Sequence, residues 1–334
     1  MKKRFRLLSK IFISKNYKYI TLTEIIKQVY NILRYKSFYY VERKKNSNFN
    51  EKAIYYLIRR TPPGSGFFSN FHLTLAHLDY ALENRYKPLI DYGNYSNYIY
   101  GKKSNKDFRN YWDDFFLQPN NEQFINIKKK FPYILSQENI HTKPGITIQN
   151  TESLEFLKNE KLILKYNNLF TENIYFKKNV IKNFESIHAD IFGNKKNILG
   201  ASIRGTDYVN KRYPNHYKQP SLEEFINKID TLKDKWKVEH IFLSTEDEKY
   251  RSELQKYYGK QIFYLDRKIY DQLSIPMHEG KKNYESYLLY VCEIFLLSKC
   301  DFLVGAPNGG FSAAVIFNGN KYKKKYIFNL GKYS

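Results

Sequence analysis

Three short stretches of this 334-residue chain hold the residue types from which a phosphate-binding, group-transferring site is built. The first is Gly64-Ser65-Gly66-Phe67-Phe68-Ser69-Asn70, between a β-prone run and a helical pattern. Glycines there permit close backbone approach, and a helix N-terminus favours an anion or a polar ligand. The spacing is not the dinucleotide fingerprint and no P-loop lysine follows, so a plain tight turn is the alternative. The second stretch is Arg204-Gly205-Thr206-Asp207, directly after an apolar run ending at Ile203. An arginine at a strand end suits a diphosphate, because its planar fork makes bidentate charged hydrogen bonds. Asp207 would orient Arg204 or hold the loop; the alternative is a structural Arg–Asp pair closing a turn. The third stretch runs from Glu293 to Asn308-Gly309-Gly310-Phe311-Ser312. Glu293 lies among Tyr290, Val291, Ile294 and Phe295, where a carboxylate needs a partner. A guanine edge offers two parallel N–H donors, and a lysine or arginine offers a salt bridge. The Asn-Gly-Gly turn at a helix start presents backbone N–H groups to a phosphate.

These stretches matter only if the fold brings strand ends together, and the flanking patterns predict that it does. Residues 53–59 form a β-prone run. The breaker cluster 61–66 follows, then Phe71, Leu75, Leu78 and Leu82 at helical spacing, then a second strand at 88–92. Strand, loop, helix, strand implies a parallel sheet. Residues 93–190 lack clean periodicity, with helices expected at 152–158 and 173–192. From 197 onward strands and helices alternate. Strands are expected at 197–203, 239–244, 261–265, 301–305 and 325–330. Helices are expected from 221, where Ser221 and Glu224 make a capping box, and at 247–258, 286–299 and 311–318. This alternation predicts a doubly wound α/β domain. The expected organisation is a basic N-terminal extension at 1–50 packing on or beside a first domain at 51–190, then a second domain at 191–334.

Composition excludes several classes. The 42% hydrophobic content supplies a core, which rules out a disordered basic tail protein. Cys292 and Cys300 cannot form a disulfide framework or a zinc site; they are read as buried thiols of a reducing compartment. No apolar run is long enough to span a membrane, and residues 1–13 lack the features of a signal peptide, so a cytoplasmic location is expected. The formal charge of +23 and the 32 tyrosines invite a nucleic-acid reading. Yet residues 1–50 carry +11 and residues 321–334 carry +5, leaving +7 for the 270 residues between. With no RNP, zinc or helix-turn-helix signature, no nucleic-acid partner is expected. Basic ends interleaved with aromatics suit an anionic membrane surface; a solvated basic face is the alternative.

Taken together and in this order, the three stretches resemble the fucosyltransferase superfamily that contains α1,2-, α1,6- and protein O-fucosyltransferases, and among them bacterial surface-polysaccharide enzymes. Gly66-Phe67-Phe68-Ser69-Asn70 is similar to the family's Gly-x-x-x-Asn signature. Ser202-Ile203-Arg204-Gly205-Thr206-Asp207 is similar to its His-x-Arg-Arg-x-Asp motif, with Ser202 in place of the His and Gly205 in place of the second Arg. Ser244-Thr245-Glu246-Asp247 resembles a Thr-Asp-Asp segment, and residues 293–304 with 308–312 resemble the C-terminal block. The resemblance covers roughly residues 53–95 and 197–318. It implies an α/β fold of the GT-B type, two Rossmann-like doubly wound domains with a cleft between them, and a GDP-fucose or other GDP-sugar donor. It implies Arg204 on the β-phosphate, Glu293 on guanine, and Asn308, Gly309, Gly310 and Ser312 around the diphosphate. Gly66 and Asn70 would face the donor from the first domain, and Thr245 would join the donor-binding set. Tyr208, His216, Gln219 and Pro220 are similar to a loop that faces the active site in the bacterial relatives.

The expected reaction is inverting and metal-independent glycosyl transfer to a glycan acceptor, lipid-linked where the basic termini meet a membrane, in lipopolysaccharide or capsule synthesis. Arg204 and the loop N–H groups would stabilise the leaving GDP. Asp207 would support Arg204. His216 is the first candidate for a base, with a loop histidine at the acceptor rim as the alternative. A catalytically inactive sugar-nucleotide-binding subunit of an envelope assembly complex is the second reading.

Overall fold

A computed structural model describes residues 55–59, 66–92, 110–119, 133–138, 141–142, 146–205, 209, 212, 214–269 and 284–334. The expected N-terminal extension 1–50 and Asp207 lie outside them. No helix among the described residues is long and apolar enough to cross a membrane.

The chain begins with β1 (Tyr55–Arg59), α1 (Phe67–Glu83) and β2 (Lys87–Asp91). β1 pairs in parallel with β2 and with β3 (Tyr133–Leu135), giving a three-stranded sheet in the order β2-β1-β3. Its strand β1 is buried throughout, as a strand covered on both faces must be. A short helix α2 (Trp112–Phe115) stacks its aromatics beside this sheet, with Trp112 and Phe116 rings 4.3 Å apart.

In the region without clean periodicity the described residues hold, after α2, the helices α3 (Leu154–Lys158), α4 (Glu160–Asn173) and α5 (Lys178–Phe192). The single helix expected at 173–192 is therefore corrected. Asn173 ends α4, and α5 starts five residues later. The signals for α3 and α4 are caps rather than periodicity. Ser153 accepts from the Phe156 N–H and Asn159 from the Leu162 N–H, each satisfying a first-turn donor.

From residue 198 the elements follow the expected order. Among the described residues, β6 (Ile198–Ile203), α6 (Leu222–Trp236), β7 (His240–Thr245), α7 (Glu248–Tyr258), β8 (Ile262–Tyr264), α8 (Tyr284–Leu297), β9 (Phe302–Gly305), α9 (Gly309–Asn318) and β10 (Lys324–Ile327) follow in turn; the small pair β4 (Gln137–Glu138) and β5 (His141–Thr142) lies earlier in the chain. The Ser221–Glu224 capping box opens α6 with both of its hydrogen bonds in place. All four strand pairings are parallel, in the order β10-β9-β6-β7-β8. Strand order therefore reverses between β6 and β9. In a doubly wound sheet that is the topological switch point, where ligands bind beyond the carboxyl ends of the strands.

One apolar cluster joins α1, α4, α5, α8 and α9. Phe71 of α1 packs on Phe170 of α4 and Phe317 of α9, while Phe68 meets Tyr290 of α8 edge to face. Helices from both halves of the sequence thus share a core. This packing sets the start of α1 against the start of α9. Cys292 and Cys300 are buried and free within it. Burial pushes the Cys292 thiol up to about 12 and holds the Cys300 thiol well above its usual value, so neither is poised to react.

Candidate functional site

Arg204 is the first residue beyond β6, and the turn 306–308 leads from β9 into α9, so the two flank the switch point. The turn is shaped by Asn308. Its Oδ1 accepts the Phe311 N–H at 3.0 Å and its Nδ2 donates to the Ala306 carbonyl at 3.1 Å. Asn308 is thus a helix cap with both ends of its amide engaged. The Ser312 N–H bonds the Asn308 carbonyl. That leaves the Gly309 and Gly310 N–H groups with no partner inside the helix. Ser312 is fully buried, and its Oγ has no hydrogen-bond partner. Gln219 is buried with an unpartnered Oε1, while its Nε2 reaches the Pro307 carbonyl at 3.4 Å. Buried polar atoms of this kind are the exception in folded proteins and are accounted for by strain, by water or by a bound group.

The glycine stretch of the first half arrives at the same place. A Cβ built on Gly309 would lie 3.2 Å from both N and Oγ of Ser69, in the first turn of α1. One on Gly310 would lie 3.0 Å from Ile294 and 3.2 Å from the Tyr290 hydroxyl. Two helix N-termini therefore converge, and neither α1 nor α9 has an acidic residue in its first turn. Their partial positive charges add, which favours an anion between them. Asn70 is fully buried, and its Nδ2 donates back to the Gly66 carbonyl at 3.0 Å. In this arrangement Asn70 closes the first turn of α1. Gly66 is exposed, and a Cβ there would meet nothing within 4 Å.

Two arginine–glutamate pairs stand behind the switch point. Arg204 Nη2 lies 3.3 Å from Glu246 Oε2, with both side chains mostly but not fully covered. Glu293 is bound by Arg267, whose Nε donates to Oε2 at 2.5 Å and whose Nη2 donates to Oε1 at 3.0 Å. Ser244 donates to Oε1 at 2.7 Å, and Arg267 Nη2 also reaches the Thr245 carbonyl at 3.2 Å. Of the two partners left open by the sequence, Glu293 here has the salt bridge. Three of its acceptor positions are taken, and the arginine fork covers the face that a guanine edge would need. Tyr290 sits among these charges, and burial followed by Glu246 holds its phenol well above the usual range. Thr245 uses Oγ1 to accept the Asp247 N–H at 3.2 Å, shaping the turn into α7.

Sterics account for a glycine at 205. A Cβ at Gly205 would overlap the Asp247 carboxylate, which also caps α7 by accepting the Tyr250 N–H at 3.2 Å. A second arginine at that position would have to displace the cap. His216 lies on an exposed loop that is stitched to the C-terminal tail. Its carbonyl accepts from Tyr333, the Gly331 carbonyl accepts from Lys218, and its Nδ1 is 3.2 Å from the Pro214 carbonyl.

The structure thus brings Arg204, Asn308, Gly309, Gly310 and Ser312 to one switch point, with the α1 residues Ser69 and Asn70 beside them. It sets Glu293 and Thr245 behind them in an ion-paired layer. Arg267 and the buried His72 are the residues that sequence reasoning missed, and Glu246 was noted only as part of the Ser244–Asp247 segment, without a role. Arg267 had a signal: it falls just beyond the end of β8, as Arg204 does beyond β6. Among the described residues, no group of three or more His, Cys, Asp or Glu side chains is placed to hold a metal ion.

No known protein family and no curated protein matches the sequence. Solved structures similar to it include the fucosyltransferase NodZ from Bradyrhizobium, at 14% identity and a TM-score of 0.49, covering 85% of this chain and 97% of that one. Another is Arabidopsis thaliana FUT1 in complex with GDP, at 12% identity and a TM-score of 0.49, covering 96% and 83%. A third is POFUT1 in complex with GDP-fucose, at 8% identity and a TM-score of 0.42, covering 82% and 98%.

Proposed function

We propose that this chain is a glycosyltransferase that binds a GDP-sugar, GDP-fucose first among them, and passes the sugar to a glycan acceptor with inversion. The observation that carries the reading is the meeting of two helix N-termini at the switch point, beside Arg204 and an unpartnered Ser312 hydroxyl. A diphosphate suits that concavity in charge and in donor chemistry. In the reaction, the bond from the sugar C1 to the β-phosphate oxygen breaks and its electron pair leaves with GDP. Arg204 and the α9 N–H groups meet the charge as it develops, without a metal. The acceptor hydroxyl bonds C1 from the opposite face and gives its proton to a base, for which His216 is the candidate, with Asp207 supporting Arg204. Residues 51–190 would serve the acceptor side and 191–334 the donor side, in the GT-B manner. The basic segments 1–50 and 321–334 would hold the enzyme at an anionic membrane surface where envelope polysaccharide is made.

A thermal-shift panel of GDP-fucose, GDP-mannose, UDP-sugars and CMP-sugars tests the donor. Stabilisation by GDP-sugars is expected, and a shift with UDP-sugars alone overturns the choice of a GDP-sugar donor. Removal of residues 1–45 should abolish liposome binding and leave donor binding intact.

Gly205 favours a second reading. With the Asp247 carboxylate in the place of a second guanidinium, the chain would bind a sugar nucleotide without turning it over. GDP binding with neither transfer nor donor hydrolysis would support this subunit role.

A further inference from the structure

His72 lies one turn into α1, nearly fully buried, and both of its ring nitrogens are engaged. Nε2 is 2.8 Å from the Gly309 carbonyl and Nδ1 is 2.9 Å from Thr151 Oγ1. A carbonyl only accepts, so Nε2 carries the proton and donates it. Nδ1 then accepts from the Thr151 hydroxyl, and the ring is held as a single neutral tautomer. Burial keeps the ring below the usual histidine range, against the opposing pull of Glu152 and of the bond to Gly309.

The target of that bond is unusual. Gly309 and Gly310 share a peptide unit whose carbonyl oxygen and N–H point in opposite directions. Glycine flanks leave such a unit freer to turn than any other pair. Side chains cannot stiffen it, because a Cβ at either position would press on Ser69, Ile294 or Tyr290. The ladder of α9, which begins at Gly309, engages one lone pair of that carbonyl. His72 takes the other from outside the turn, which adds to the hold and leaves the Gly310 N–H aimed out of the start of α9.

We propose that His72 is a positioning residue that fixes the Gly309–Gly310 peptide so that its N–H meets the donor diphosphate. This rests on the reading of the switch point as a sugar-diphosphate site. His72 touches no substrate itself; it transmits the register of α1 and of Thr151 to the phosphate-binding turn. Donor binding in this chain therefore depends on a side chain from the half of the sequence that does not contain the turn.

The test is titration calorimetry of the full chain with GDP. Glutamine places an amide N–H near Nε2, and asparagine places one near Nδ1. His72→Gln is expected to keep GDP affinity within about threefold of the native chain, while His72→Asn weakens it at least about tenfold. Melting temperatures without GDP should be alike for the two variants. Equal weakening in both, or none in either, overturns the positioning role while leaving the diphosphate site standing. If the native chain fails to bind GDP at all, the reading of the site falls and the inference with it. Should His72→Asn not fold, Thr151→Val against Thr151→Ser reads the same contact. Weakening of about threefold or more in the valine variant alone supports the proposal, and equal affinities overturn it.

Discussion

Arg267–Glu293 and Arg204–Glu246 pair the same residue types and belong to the same set of strand ends, yet they are built for different tasks. Arg267 and Glu293 are 2% and 3% exposed, joined by two hydrogen bonds, with Ser244 and the Thr245 carbonyl completing the set. The Nε and Nη2 donors of that fork are all used inside the protein. Arg204 and Glu246 are 16% and 11% exposed and meet through one 3.3 Å contact. The first pair is spent on holding β7 to α8. The second holds a guanidinium at the switch point that is less completely covered than the first. A charged residue at a strand end is thus a better ligand-binding candidate when it stays partly exposed than when its pair is sealed.

The largest expected effect breaks the closed pair. Glu293→Gln should cost about 3–5 kcal/mol of stability, because it strands a buried guanidinium. Urea denaturation reads this directly. Replacing both members, Arg267→Met with Glu293→Leu, should recover most of the loss, since a hydrophobic pair of similar volume often equals a buried ion pair. If Glu293→Gln instead leaves stability intact and abolishes the preference for GDP over ADP, the roles assigned to the two pairs are reversed.

Arg204→Ala should cost less stability than Glu293→Gln and lower turnover at saturating donor by about 10²–10³, the range for removing one preorganised donor to developing charge. Near-native turnover would sink the assignment of Arg204. Gly205→Ala comes next, at about 1–3 kcal/mol, the usual cost of overpacking. Pairing it with Asp247→Ala should remove the clash but leave the loss of the α7 cap, so the two changes should be non-additive in denaturation. The smallest effect is expected of Ser312→Ala. Its hydroxyl has no partner in the protein, so stability should hold or rise slightly. GDP affinity should fall by about fivefold, the value of one hydrogen bond. A loss of stability without a loss of affinity would mean that Ser312 is a core residue only.

The doubly wound half of the molecule was legible because local signals agreed there. Apolar strands end in polar turns, Ser221 and Glu224 cap a helix, and Asn308-Gly309-Gly310 opens another. The helix Glu160–Asn173 was not legible. Its sequence is rich in Lys and Asn, and its mean hydropathy is slightly negative, so its apolar stripe of Ile163, Tyr166, Leu169 and Phe170 stands out only once the buried face is known. In the site, Arg204 and the glycine turns could be read from position alone. The choice of Arg267 as the partner of Glu293 could not, because 26 residues separate them and many lysines and arginines compete on paper. His72 was hidden for a related reason. One histidine within a helical pattern has no sequence signature that distinguishes a packed ring from one that reaches a glycine carbonyl 237 residues away.

The contact between Gly205 and Asp247 carries a consequence for descent. A lineage that has glycine at 205 with the carboxylate settled against it cannot take a side chain there in one step. Any substitution at 205 first meets Asp247, and any change at 247 first uncaps a helix. The two positions are therefore expected to vary together among relatives, glycine at one accompanying aspartate at the other. Such a coupling works as a ratchet, fixing this form of the switch point long after whatever first favoured it.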